Sequence, residues 1–193
     1  MGKHSKLLMI LTLAWTLSGC GSSGDDDDPN AVPDWCLIQY STDTEWVSEV
    51  TSLVLEPSSN MYVTPQEVDL FYQEVRACAA QTYPEIAAVI GPSVRYENFK
   101  EQGWTTGYLG FYTIFEGATV FLNTDDPIGR RSCYSDKYAL KHEFLHHLIW
   151  QGSLPLSLTP EGYPNVHGSK LFALEADGGC VPEFIDASLA QTH

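Results

Sequence analysis

His142-Glu143-Phe144-Leu145-His146 sits inside an aromatic and aliphatic run, Tyr138 to Trp150, that reads as a helix. At four-residue spacing the two imidazoles stand one turn apart on the same face, so both can offer a ring nitrogen to one zinc ion. Glu143, one residue after the first histidine, is then placed to take a proton from a water that the metal activates. A buried helix whose histidines merely hydrogen-bond would show the same apolar positions, Ala139, Leu145, Leu148 and Ile149. The helical context that the motif needs favours the metal reading over that one, and Glu143 favours catalysis over a purely structural zinc site, which has no use for a carboxylate beside its first ligand. Ser135 is the expected N-cap, Asp136 puts negative charge in the first turn, and Gly152 follows the last periodic residue as a stop.

A catalytic zinc keeps three protein ligands and one open position, so a third donor must come from outside this helix. Four of the six histidines fall between 142 and 167, and the other two are His4 and His193. His167 is therefore the expected third ligand, brought back by the Pro- and Gly-punctuated loop from Gly152 to Val166. Glu175 and Asp177, on a short helix expected from Ser169 to Asp177 and ended by Gly178-Gly179, are the alternative ligands. If they do not bind the metal, they can accept the second ring protons of the ligating imidazoles. His147 points about 100° away round the helix and belongs to the core or to a buried acceptor. Tyr163, in the loop before His167, is the expected oxyanion donor.

Upstream of the motif, Thr64, Pro65 and Glu67 form a capping box with proline at the first helical position. Val68, Phe71, Tyr72, Val75 and Ala79 then repeat at helical spacing, so this helix should run to Thr82. Thr42 to Leu55 reads as a strand, Pro84 opens a short helical piece ending at Gly91-Pro92, and Val94 to Phe99 reads as a further strand. Tyr108 to Phe115 and Ala118 to Asn123 flank Glu116-Gly117 and predict a hairpin, with its aromatics on the two faces of a sheet packed on helices.

The N-terminal residues have the pattern of a targeting segment. Lys3 and Lys6 precede an apolar run, Leu7 to Leu17, too short to span a bilayer, and Leu17-Ser18-Gly19-Cys20 closes it with small residues. That tetrapeptide resembles the lipobox of bacterial lipoproteins, which implies cleavage before Cys20 and acyl chains on it, anchoring an extracytoplasmic protein to a membrane. In enteric lipoproteins an aspartate directly after the modified cysteine signals retention at the inner membrane. Gly21 stands there, so the outer membrane is favoured. The expected organisation is a signal peptide over 1–19, a flexible acidic linker over 20–33 with Asp25 to Asp28 at its centre, and one domain over 34–193.

The formal charge is -15 for the whole chain, and loss of Lys3 and Lys6 with the signal peptide makes it more acidic still. Nucleic acid and anionic membrane surfaces are poor partners for such a chain. Cys36, Cys78, Cys133 and Cys180 remain once Cys20 is assigned to lipid. An even number in an oxidising compartment predicts two disulfides. The expected pairs are Cys36 with Cys78 and Cys133 with Cys180, the second tying the entrance of the motif helix to the segment after it.

The order of capped helix, small sheet and H-E-x-x-H helix resembles the catalytic half of zincin metallopeptidases over roughly Val94 to Cys180. The resemblance implies an α+β fold whose mostly antiparallel sheet packs on both helices, with an edge strand lying antiparallel to bound peptide. Ala118 to Asn123 is the expected edge strand. The glutamate-zincin pattern E-x-x-x-D is not met at Glu175, and Ile149 and Gly152 stand where a metzincin needs glycine and histidine, so the subfamily stays open. The function implied is a monomeric, membrane-tethered zinc hydrolase that cleaves peptide bonds of protein or peptide substrates. Two alternatives stay open, a non-catalytic binding or structural lipoprotein on the same scaffold and a hydrolase of peptidoglycan cross-links.

Overall fold

The structure, a computed structural model, describes residues 32–104, 107–115, 117–125, 131–158, 160 and 164–182. The signal segment, Cys20, nearly all of the linker and Tyr163 lie outside the described residues.

Helix α1 spans Pro65–Thr82 and begins as its capping box requires. The Glu67 N–H donates to Thr64 Oγ1 at 3.3 Å, and the Thr64 N–H donates to Glu67 Oε2 at 2.7 Å. Two donors that the first turn would leave unpaired are thereby satisfied. Val68, Phe71, Tyr72, Val75 and Ala79 are all buried, as their spacing predicts. Helix α2, Cys133–Gln151, carries the motif and starts earlier than its apolar run suggests. Ser132, not Ser135, is its N-cap, because Ser132 is extended while Ser135 Oγ, three residues in, accepts the Ser132 N–H at 2.8 Å. Gly152 closes the helix as expected. Asp136 is buried in the first turn and accepts from Arg131 Nε at 2.9 Å and from Nη2 at 3.1 Å.

The expected long strand over Thr42 to Leu55 is instead three short ones, β1 at Tyr40–Thr42, β2 at Trp46–Val47 and β3 at Val54–Leu55. Ser52, at φ 59°, turns the chain between β2 and β3, which a continuous strand would not tolerate. β4, Ser58–Met61, pairs antiparallel with β1 as a separate ribbon. The main sheet adds β5 at Ser93–Glu97, β6 at Gly110–Thr113 and β7 at Thr119–Asn123, in the order β2-β3-β5-β7-β6. β3, β5 and β7 run parallel, while β2 and β6 are antiparallel edges. The sheet is therefore mixed rather than mostly antiparallel. A helix inserted between β3 and β5 makes a crossover, and crossovers join parallel neighbours.

β7 is buried at every position and lies between β5 and β6, so it is an inner strand and not the edge. The edge is β6. It joins β7 through the expected hairpin, where Gly117 and Ala118 reverse the chain at φ 83° and 58°. Phe111 stacks on Phe121, with ring centroids 4.9 Å apart, while Val120 and Leu122, on alternate positions of β7, enter the core. The hairpin aromatics divide between two faces as predicted, but Tyr108 and Phe115 are exposed and pack on neither.

The two helices meet through Tyr72 and Phe144, ring edge to ring face at 5.2 Å. Both disulfides form, with exchanged partners: Cys36 bonds Cys133, and Cys78 bonds Cys180. The expected pairing fails because the short turn Asp34–Leu37 lies against the start of α2, where Trp35 meets the Tyr134 ring at 6.0 Å, leaving Cys36 beside Cys133. Cys180, after the last turn of the described chain, meets α1 instead. A short ribbon of β8, Ser157–Leu158, and β9, Pro164–Asn165, leads from α2 into this C-terminal segment.

Candidate metal centre

One turn of α2 separates His142 from His146, and both point to the same side, as the spacing requires. The residue that meets them is His167, on a single helical turn at Val166–Gly168 directly after β9. Asn165 holds that turn by accepting the Gly168 N–H at 2.9 Å. The three Nε2 atoms form a nearly equilateral triangle, with separations of 3.3 Å (His142 to His146), 3.3 Å (His142 to His167) and 3.2 Å (His146 to His167). Mutual hydrogen bonds cannot account for such a triangle, because each Nε2 is either protonated and only a donor or unprotonated and only an acceptor, so at least two of the three are alike and cannot bond each other. A tetrahedral ion with bonds of about 2.0–2.1 Å places its nitrogen ligands roughly 3.3–3.4 Å apart, so the donor set fits zinc in both chemistry and spacing.

Burial keeps the His142 and His146 imidazoles in the state a metal needs. It lowers the pKa of His142 to about 4 and that of His146 to about 3, with the neighbouring imidazoles pushing the same way, so both are neutral at physiological pH. Among the described residues, the cluster able to hold a metal consists of His142, His146 and His167. Glu175 and Asp177 are not in it. The expected short helix is two isolated turns, Lys170–Phe172 and Glu175–Asp177. Glu175 faces Lys141, a buried lysine of α2 whose Nζ lies 3.1 Å from Glu175 and 2.9 Å from Glu74 of α1. It thus serves to clamp the C-terminal segment to both helices, and it does not receive an imidazole proton. Asp177 is exposed.

Glu143 lies on the sheet side of the histidines and is buried. Burial raises its pKa to about 8, and the Tyr112 N–H opposes this by donating to the carboxylate. The strand supplying that N–H is the edge strand β6, so one edge positions Glu143 and also borders the cleft. Its neighbour Gly110 leaves the space that Glu143 occupies. The cleft, of about 290 Å³, is lined by Tyr108, Gly110, Tyr112 and Trp150 together with Glu143 and the three histidines. A larger depression of about 510 Å³ lies away from the three histidines, against His147 and the end of α2. His147 itself is buried, with its Nε2 2.8 Å from the Ile90 carbonyl, which agrees with its expected place in the core.

Two contributors were not visible in the sequence. Gly110 owes its role to the close passage of β6 over α2. Phe172 packs against all three imidazoles, at ring-centroid distances of 5.0, 4.9 and 4.8 Å. No periodicity or motif marks either position. Comparison with known families, characterised proteins and solved structures returns no match to this chain.

Proposed function

We propose that this chain is a zinc-dependent hydrolase that cleaves peptide bonds, held at a bacterial membrane as a lipoprotein through Cys20. The observation that carries the reading is the convergence of three imidazole nitrogens at tetrahedral spacing beside a buried carboxylate. Zinc held by His142, His146 and His167 would supply a Lewis acid for the scissile carbonyl and for water. Glu143, steadied by the Tyr112 N–H, accepts the proton from the attacking water and passes it to the leaving amine. Little water surrounds the carboxylate, so its basicity is not spent on solvation.

The exposed edge of β6 supports a peptide as the substrate. That edge is not paired with β7, and apart from the Tyr112 N–H, which Glu143 takes, its backbone groups can receive an extended chain as one more strand beside the histidines. This arrangement supports the zincin resemblance, with β6 in the role expected of Ala118 to Asn123. Two disulfides suit an oxidising, extracytoplasmic compartment.

The test uses the full-length chain purified in detergent. Wild type should carry about one zinc per chain and hydrolyse unfolded protein substrates. Glu143→Gln should keep the zinc and lose hydrolysis. Hydrolysis that survives the substitution overturns Glu143 as the base, and a wild-type chain that takes up no zinc overturns the enzyme reading altogether.

A further inference from the structure

The imidazoles of His142 and His146 are fixed by their own helix, but His167 is exposed and rides on a segment built of isolated turns. Something must hold its ring to the other two. Phe172 lies within 4.8–5.0 Å of all three imidazole centroids, and the imidazoles lie 4.8–5.2 Å from one another. The phenyl ring therefore completes a four-ring cluster in which each ring touches the other three. The histidines line the cleft, and Phe172, packed against all three, is not among the residues that line it.

Its backbone is well secured for such a task. The Phe172 N–H donates to the Ser169 carbonyl at 3.0 Å, Leu171 beside it is buried, and the Leu171 carbonyl accepts the Cys180 N–H at 2.9 Å. The ring contacts are tilted or edge-on, at 64°, 51° and 78° to His142, His146 and His167. Edge contacts of this kind restrict rotation of an imidazole about its Cβ–Cγ bond, and that rotation is the motion that would take Nε2 out of the triangle.

Resting on the reading of the three histidines as a metal site, we propose that Phe172 is the positioning residue of that site, the wall that preorganises the imidazoles for the ion. It acts on metal affinity and coordination geometry, not on the chemistry.

The experiment measures the zinc affinity of the full-length chain in detergent by competition with a chelator, together with the visible absorption of the Co²⁺-substituted protein. Phe172→Ala should weaken binding roughly 10- to 100-fold, the range for residues that orient metal ligands, and should change the Co²⁺ spectrum. Phe172→Tyr, which keeps the ring, should restore both. Phe172→Leu keeps apolar bulk without the flat ring and secures the test should the alanine variant not fold; it too should bind more weakly than wild type. Affinity and spectrum unchanged in the leucine or alanine variant overturn the proposal, because a packing role alone would move only thermal stability. A wild-type chain that binds neither ion overturns the metal reading itself, a result distinct from wild-type binding that is insensitive to Phe172.

Discussion

Gly110 and Glu143 share one space: a β-carbon on Gly110 would lie 3.3 Å from the Glu143 Cγ, 2.8 Å from the Phe121 carbonyl oxygen and 2.9 Å from Leu122 Cδ2. The carbonyl is backbone of β7 and cannot yield, so any side chain at 110 must push β6 outward. Gly110→Ala should therefore shift the edge strand and take the Tyr112 N–H away from the base, leaving the histidines untouched. The expected result is unchanged zinc content with a kcat/KM lowered on the order of 10²-fold, the loss that a misplacement of about 1 Å can cause. Full activity in this variant would show that β6 does not position Glu143.

The two disulfides should prove unequal in function. Each closes a loop of about 100 residues, a sequence separation of 97 for Cys36–Cys133 and 102 for Cys78–Cys180. Losing either should cost stability of about 2–5 kcal/mol. The Cys78–Cys180 bond also anchors the segment carrying His167 and Phe172 to α1, whereas Cys36–Cys133 fastens only the N-terminal turn to the start of α2. Replacing both members of the Cys78 pair by serine should weaken zinc binding as well as stability, and the same change at the Cys36 pair should affect stability alone. Equal zinc affinity in the two variants would show that the C-terminal segment holds its place without the bond.

The places where sequence and structure part have one cause. Both helices were legible because their signals are local: the Thr64-Pro65-Glu67 cap, the repeat through Val75 and the H-E-x-x-H spacing all lie within a few turns of one element. The hairpin of β6 and β7 was legible for the same reason. The His167 assignment followed from elimination among few histidines, and the geometry agrees with it. By contrast, β2 and β3 have two residues each, too few to show a period. The partners of Cys36 and Cys180, the inner position of β7, and the roles of Gly110 and Phe172 depend on which distant segments come to lie together. A single sequence carries no local mark of that.

Acid should unfold the metal-free protein through its buried histidines. Burial lowers the pKa of His147 to about 4, against an ordinary value near 6.5. The unfolded chain then binds a proton that the folded chain refuses, so the stability tied to His147 is present above pH ~6.5 and is lost as pH falls toward 4. One such group contributes a slope of about 1.4 kcal/mol per pH unit within that window. Denaturant unfolding of the metal-free chain at several pH values between 4.5 and 7 should show this loss, and His147→Gln should reduce the slope by close to one proton whatever its effect on absolute stability. A slope that does not change would mean that His147 becomes protonated in the folded state.

Zinc uptake should release a proton that comes from the base and not from the buried ligands. In the metal-free state burial holds the Glu143 carboxyl at a pKa of about 8, so at pH 7 it is mostly protonated. His142 and His146, lowered to about 4 and about 3, are already neutral and have no proton to give up on binding. A divalent charge placed at the three nitrogens favours the carboxylate and draws its pKa down, the usual effect of an opposite charge nearby. Zinc binding at pH 7 should then expel close to one more proton from wild type than from Glu143→Gln, and the difference should shrink above pH 8, where the carboxyl is already ionised. Titration calorimetry in buffers of different ionisation enthalpy reads this number directly. Equal proton release by the two proteins would place Glu143 in its ionised form before the metal arrives, and the raised pKa would then play no part in readying the base.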